Sequence, residues 1–389
     1  MNKPSKITSP ERLRIGLVFD DSLDRLDGVS QQVRIIGAWL AAQGHQVRYL
    51  VGETTMPVWA GGKVYSLSRN LAVSFNRNRL SVPLAASRQQ IRQVVADEQF
   101  DVLHVQMPYS PFMAQRVIKL SGPQTAVVGS FHILPAGWVA SWGARLLGLW
   151  QRRSLKRFDE VVAVSPAAAD FAGRAFKIDS QVLPNMIDVA KFATVARARP
   201  ASAKQIVFLG RLVPRKGCLE LLKAFELVHQ QLPDAKLVIA GDGPERRRLE
   251  HFSASRSLSQ SVSFAGFIEE DQKATLLADA DIACFPSLYG ESFGVILLEA
   301  MAAGASVVLG GDNPGYRSVL GQQPELLVNP RDTRQFADRL HRLLSDQALT
   351  DKLHTWQLQQ VKSYDVGVVM PRLVEVYRRA IAKRTKPRA

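Results

Sequence analysis

The 389-residue chain contains two cysteines, Cys218 and Cys284. Two thiols cannot build a disulfide framework or a cysteine-ligated metal cluster. Both stand in apolar patterns, where a small buried hydrophobe is the expected role. Zinc-finger spacing, an aromatic RNA-binding strand motif and a basic zipper are all missing, so nucleic acid is not the expected partner. No run reaches the roughly 18–20 apolar residues that a membrane span requires. The opening Met1-Asn2-Lys3-Pro4-Ser5-Lys6 has no apolar signal core. A cytoplasmic location is therefore expected. Acidic residues are short as well: 35 Asp and Glu against 50 Lys and Arg leave a net charge of +15. That excess calls for an acidic partner, and without a nucleic-acid motif it points to an anionic membrane surface or a phosphorylated ligand.

The chain is longer than a single core usually grows, and two domains are expected. Arg12-Leu13-Arg14-Ile15-Gly16-Leu17-Val18-Phe19-Asp20 reads as a first strand. Gly28 follows at a loop-to-helix junction, where a residue without a side chain lets backbone approach a phosphate. Gln31 to Gln43 reads as an amphipathic helix with Val33, Ile36, Trp39 and Leu40 inward, and His45 to Val51 as the next strand. Residues 52–86 read as irregular, and Pro83 to Glu98 as a helix carrying Arg88 and Arg92 on one side. Phe100 to Val105 and Thr125 to His132 read as buried strands; the second delivers His132 to a sheet's carboxyl edge. Residues 190–204 are rich in Ala, Arg, Pro and Ser and read as a linker. A second alternation starts at Gln205 to Gly210, followed directly by Arg211 and Lys216-Gly217, cations suited to a diphosphate. It continues to a final helix over Val369 to Lys383.

One stretch organises the second half. Asp281-Ile282-Ala283-Cys284-Phe285-Pro286 reads as a buried parallel strand and Val295 to Ala303 as a helix closed by Gly304. Glu291 lies in the loop between them and Glu299 about two turns into the helix. The helix N-terminus between the two carboxylates would face the carboxyl ends of the strands, where open α/β sheets bind ligands. Neighbours Val295-Ile296-Leu297-Leu298 and Ala300-Met301-Ala302-Ala303 make Glu299 an improbable plain surface charge.

Gly210-Arg211 with Lys216-Gly217, Gly241-Asp242-Gly243-Pro244, and Gly290-Glu291-Ser292-Phe293-Gly294 with Glu299 together resemble the retaining, nucleotide-sugar-dependent family 4 glycosyltransferases of the GT-B fold. The resemblance runs from about Arg14 to Tyr377. Within that family it is strongest to the bacterial phosphatidylinositol α-mannosyltransferases, on Phe100-Asp101-Val102-Leu103-His104, Ser130-Phe131-His132, Leu183-Pro184-Asn185 and Ile268-Glu269-Glu270-Asp271-Gln272-Lys273. Two Rossmann-like, doubly wound α/β domains facing a central cleft are implied. Residues 1–190 would bind the acceptor, with the C-terminal helix 369–389 packing back on them. Residues 191–204 would link the domains and 205–368 would bind the nucleotide-sugar.

The resemblance also implies roles. Gly28 would approach the β-phosphate, and Arg211 and Lys216 would neutralise the leaving diphosphate. Glu291 would hold sugar hydroxyls and Glu299 the ribose, with Ser292, Phe293 and Gly294 between them on the donor. Ile268 and Lys273 would meet the base, guanine, and His132 would face the sugar and the acceptor hydroxyl. Asp279-Ala280-Asp281 imitates a metal-binding pair but precedes a buried strand, so no metal and no cofactor beyond the donor is expected. Three sites depart from the family pattern: Asp27-Gly28-Val29 stands for Gly-Gly-Val, Ser30 for a Gln, and Pro184-Asn185-Met186-Ile187-Asp188 for Pro-Asn-Gly-Val-Asp.

The implied activity is transfer of a hexose, mannose from GDP-mannose, to a lipid such as phosphatidylinositol. The enzyme would sit peripherally on the inner face of the cell membrane. The alternatives are a soluble enzyme building a glycoside or polysaccharide from a UDP-sugar, and transfer to diacylglycerol. Arg88, Arg92, Arg145, Arg152 and Arg153 are the expected membrane and acceptor contacts, aided by Lys156, Arg157 and the anchors Trp138, Trp142 and Trp150.

Overall fold

A computed structural model describes residues 12–24, 28–68, 70–75, 78–83, 86–108, 110, 112–132, 154–193 and 204–385. The first sheet takes strands Arg14–Phe19 (β1), Gln46–Val51 (β2), Val58–Trp59 (β3) and Gly62–Ser66 (β4). A separate antiparallel hairpin is formed by Asn70–Phe75 (β5) and Asn78–Pro83 (β6). Val102–Gln106 (β7), Ala126–Phe131 (β8), Glu160–Ala163 (β9) and Gln181–Val182 (β10) complete the first sheet. Its order is β10-β9-β8-β7-β1-β2-β4-β3, parallel except for β3. The second sheet takes Gln205–Leu209 (β11), Lys236–Ala240 (β12), Val262–Gly266 (β13), Ile282–Phe285 (β14), Val307–Gly311 (β15) and Leu327–Val328 (β16), in the order β13-β12-β11-β14-β15-β16 and all parallel. The chain is thus two parallel-sheet α/β domains. Central strands such as β7, β8 and β14 are buried along their whole length because helices cover both faces, which is why they read as unbroken apolar runs.

The region 52–86, expected to be irregular, holds four strands, β3 to β6. Pro83 closes β6 opposite Asn70 at the open end of the hairpin, where a missing N–H is tolerated. The helix behind it begins at Arg88, capped by Ser87, whose hydroxyl accepts from the Gln90 backbone N–H. In the first helix, Gly28–Ala42, Val33, Ile36 and Leu40 are buried as expected, but Trp39 is only half-buried. Gln32, fully buried beside them, donates to the Met186 carbonyl and accepts from the Met186 N–H. That amide clasp locks the helix to the segment leaving the first sheet.

The chain passes between the sheets twice, side by side. The Ile187 N–H bonds the Tyr364 carbonyl at 3.0 Å, and the Val366 N–H bonds the Ile187 carbonyl at 2.8 Å. The expected linker opens with a short helix, Val189–Ala193, whose first N–H is received by Asp365. The final helix runs Val366–Thr385 and lays Val369, Leu373, Val376, Tyr377 and Ala380 on the first sheet. Lys383 and Arg384, in the basic C-terminal stretch, are clamped there at 2.8 Å from Glu160 and 2.7 Å from Asp159.

Candidate active site

The second sheet's carboxyl edge gathers the first charged cluster. After β11 the chain makes a short turn, Pro214–Lys216, and then Gly217. Gly217 has φ +71°, and a Cβ there would lie 2.0 Å from the Pro286 carbonyl oxygen. Only glycine lets the loop after β11 press on the loop after β14. That contact carries Arg215 and Lys216 to Glu291. Arg215 Nη1 and Lys216 Nζ each lie 2.8 Å from the same oxygen, Glu291 Oε1. Burial alone would raise the Glu291 pKa, but Lys216 and Arg215, with a hydrogen bond from Ser287, outweigh it and hold the carboxyl below its ordinary range. Two cations on one carboxylate leave the cluster net positive, as a diphosphate site requires.

Arg211 was expected beside Lys216. It is exposed at the end of β11, and Arg215, not singled out from the sequence, shares Glu291 with Lys216. The adjacent Arg215-Lys216 pair straight after Pro214 was the available signal.

Glu291 leads into helix Val295–Ala302. Gly294 precedes it at φ +119°, where a Cβ would clash with the Tyr316 ring at 2.7 Å. Ser292 is half-buried, and Phe293 is buried edge-on against Tyr364, pinning the loop from below. Glu299 sits within the same helix, 5% exposed. Burial raises its pKa despite the opposing pull of Lys273.

Lys273 was expected on the nucleotide base. Its Nζ instead lies 3.1 Å from Glu299 and 2.9 Å from Glu270. A buried carboxylate left unpaired would be strongly destabilising, so the lysine is committed to it. Ile268 is half-buried in the loop before helix Glu270–Ala278. Asp281, of the apparent metal pair, accepts from the Gln205 N–H at 2.7 Å and so ties β14 to β11. Among the described residues no three His, Cys, Asp or Glu side chains group as metal ligands.

The first domain contributes from its own carboxyl edge. Gly28 opens helix Gly28–Ala42, exposed, and a Cβ there would meet nothing within 4 Å. His132 follows β8, 9% exposed, with Nε2 at 2.6 Å from Gln106 Oε1. Between the domains lies a cavity of about 240 Å³, lined by Arg34 and Trp39 of the first helix, Asp188 and Lys191 of the crossing, and Glu270 and Glu299 of the second domain. Glu299 therefore borders both its lysine partner and open space.

The membrane candidates are elsewhere. Arg88 and Arg92 are exposed on helix Arg88–Glu98. Arg145, Arg152, Arg153 and the three tryptophans lie outside the described residues. Arg157 is not a surface anchor: it donates to the carbonyls of Gly122 and Thr125 and pairs with Asp159. Those acceptors hold it, half-buried, against the first domain. Among the described residues no helix is long and apolar enough to cross a membrane.

Comparison with known proteins matches both halves. Residues 26–191 match the model of Glycosyltransferase Family 4, and residues 193–357 that of Glycosyl transferases group 1. The phosphatidyl-myo-inositol mannosyltransferase of Mycobacterium leprae is 30% identical over 94% of this chain and 96% of its own. That of Mycobacterium tuberculosis is 31% identical over 94% and 96%. Among solved structures, a sucrose-phosphate synthase from Thermosynechococcus elongatus superposes with a TM-score of 0.74 at 21% identity, covering 95% of this chain and 99% of that one.

Proposed function

The chain belongs to the family 4 glycosyltransferases of GT-B fold, and on that premise we propose that it transfers mannose from GDP-mannose to a membrane lipid, phosphatidylinositol. The observation that carries the donor site is the cluster in which Arg215 and Lys216 converge on Glu291, with Glu299 two turns further along the helix that begins there. It supplies fixed positive charge for a leaving diphosphate and two carboxylates at separate depths for sugar and ribose hydroxyls. Lys216 and Arg215, with Arg211 at the rim, offset the charge that develops on the β-phosphate, and Gly28 lets backbone close on it from the opposite domain. Transfer proceeds with retention. The anomeric carbon–phosphate oxygen bond breaks while a bond forms from the same face to the acceptor hydroxyl, whose proton passes to the departing phosphate oxygen. His132 orients the acceptor through a neighbouring hydroxyl, so the protein's contribution is mainly positioning and electrostatics.

The mannose and inositol-lipid assignments draw on the mycobacterial relatives and on the segment Ile268-Glu269-Glu270, whose carboxylates are suited to guanine N–H groups. Incubation with radiolabelled GDP-mannose or UDP-glucose, and with phosphatidylinositol vesicles, diacylglycerol vesicles or neither, tests the reading. Labelled lipid is expected from GDP-mannose with phosphatidylinositol. A water-soluble glycoside formed from UDP-glucose would overturn it.

A further inference from the structure

Beneath His132 runs a chain of buried polar side chains that the transfer reaction has not yet used. His104 and Gln106 share one face of β7, and Ser130 stands beside Gln106 on β8. Tyr377 reaches them from the C-terminal helix. His104, Gln106 and Tyr377 are fully buried. Tyr377 OH lies 2.8 Å from His104 Nδ1. His104 Nε2 lies 2.7 Å from Ser130 Oγ and 3.3 Å from Gln106 Nε2. Gln106 Oε1 lies 2.6 Å from His132 Nε2. Polar atoms this deep are costly unless paired, and apolar residues would fill the space more simply.

Gln106 turns its amide oxygen toward His132 and its amide nitrogen toward His104, and this orientation decides the proton positions. The Gln106 carbonyl oxygen can only accept, so the His132 proton is on Nε2. The Gln106 amide and the Ser130 hydroxyl both donate to His104 Nε2, so the His104 proton is on Nδ1 and is donated to the Tyr377 oxygen. Burial pushes His104 down to about 3, with a smaller contribution from His132, and pushes His132 down to about 4. Both rings are therefore neutral at neutral pH. The titratable groups of the chain are His104 from β7, His132 from β8 and Tyr377 from the C-terminal helix.

We propose that Gln106, oriented by His104 and through it by Tyr377, is the positioning residue that fixes His132 as a neutral ring with its proton on Nε2 and its lone pair on Nδ1. His132 Nδ1 then accepts a hydrogen bond from a hydroxyl of the acceptor beside the attacking one, whose own proton is left for the departing phosphate oxygen. A protonated ring would instead donate, and would compete with the acceptor for the donor's phosphate oxygens. The C-terminal helix, which returns from the second domain to cover the first sheet, thereby becomes part of the acceptor machinery. The inference rests on His132 lying at the transfer site.

The test uses the full-length protein and begins with a measurement independent of activity. Long-range proton–nitrogen NMR, with His132 assigned through His132→Asn, should show the Nε2–H tautomer, uncharged between about pH 5 and 8, the range in which an ordinary histidine titrates. Gln106→Leu should give a mixture of tautomers and lower kcat roughly 10–100-fold, as losing the partner that orients a metal-bound histidine does. Binding of GDP should stay as in the parent. Gln106→Glu should restore a hydrogen-bonded partner, raise the His132 pKa and add an acidic limb to kcat/KM that the parent lacks. Tyr377→Phe should reduce kcat by a smaller factor. If Gln106→Leu unfolds in a thermal melt, the Gln106→Glu and Tyr377→Phe variants decide.

An Nδ1–H or charged His132 in the parent overturns the proposal. So does a Gln106→Glu enzyme with the parent's pH profile and kcat. If the tautomer is as expected but no donor and acceptor pair yields product, the transfer reading fails by itself. If transfer proceeds equally well in parent and Gln106→Leu while the tautomer changes, the positioning role fails and the transfer reading stands.

Discussion

Lys273 Nζ stands 3.1 Å from one carboxylate oxygen of Glu299 and 3.2 Å from the other. This pair fixes a buried acidic side chain at the wall of the interdomain cavity before any ligand arrives. Prepaid orientation of this kind is what ribose hydroxyls would meet. Glu299→Ala removes both acceptors and leaves Lys273 with Glu270. GDP affinity, read by calorimetry, is expected to fall by about 1.5–3 kcal/mol, the range for hydrogen bonds to a charged group. Parent-like affinity would move the ribose elsewhere.

The two glutamates should respond to pH in opposite senses. Glu291 has its folded pKa lowered below the ordinary 4.5, so the unfolded chain binds the proton more readily. Its stabilising contribution is present above the ordinary value and is lost as pH falls through the lowered one. Glu299 has its folded pKa raised above 4.5, so the folded chain holds the proton longer. Stability is lost as pH rises from the ordinary value through the raised one. Denaturant melts across an acidic pH series should therefore show Glu291→Gln losing ground to the parent as pH rises through the lower window. Glu299→Gln should gain on the parent as pH rises through the upper one. Parallel curves for parent and both variants would mean that neither pair persists in solution.

Arg215 and Lys216 divide the work of one carboxylate, and the leaving group would draw on the same two cations. Replacing either by Ala should raise the barrier to transfer by about 2–4 kcal/mol, the cost of removing one preorganised electrostatic contact. Arg211→Ala should cost less, because Arg211 is exposed and solvent screens it. Measured kcat/KM for the three variants checks the ranking. An Arg211 variant that falls furthest would show that the loop after β11 rearranges when the donor binds.

How much of this was readable in the chain depended on the range of the interaction. Strands covered on both faces, such as Val102–Gln106 and Ile282–Phe285, announced themselves as apolar runs, and the helix after Gly294 by its composition. Pro83 misled because proline also favours the first turn of a helix; here it ends a strand. Partners distant in sequence were hidden. Nothing local says that Lys273 belongs to Glu299, 26 positions away, or that Arg215 and not Arg211 reaches Glu291. The Tyr377–His104 contact spans 273 positions and needs the second crossing of the chain before it exists. His132 was legible as a strand-end residue, but its hydrogen bond with Gln106 was not.

Membrane attachment is the last expectation. The net charge of +15 has no nucleic-acid motif to account for it, and Arg157, one of the expected contacts, is taken up by carbonyls of the first domain. Arg88 and Arg92 remain as an exposed pair one turn apart on helix Arg88–Glu98, whose opposite face is held down by Ile91, Val94 and Val95. A cation near an anionic leaflet contributes on the order of 1 kcal/mol, and the attraction fades within about a Debye length of 8 Å at physiological salt. Changing both arginines to Ser should therefore weaken binding to vesicles containing phosphatidylinositol roughly tenfold or more. Binding to neutral vesicles should be weak in parent and variant alike, and high salt should release the parent. Turnover of donor in solution should persist, since neither residue lies in the charged clusters of the second domain. Co-sedimentation across a salt series reads all of these. If the double variant sediments as well as the parent with anionic vesicles, this helix is not the face that meets the membrane.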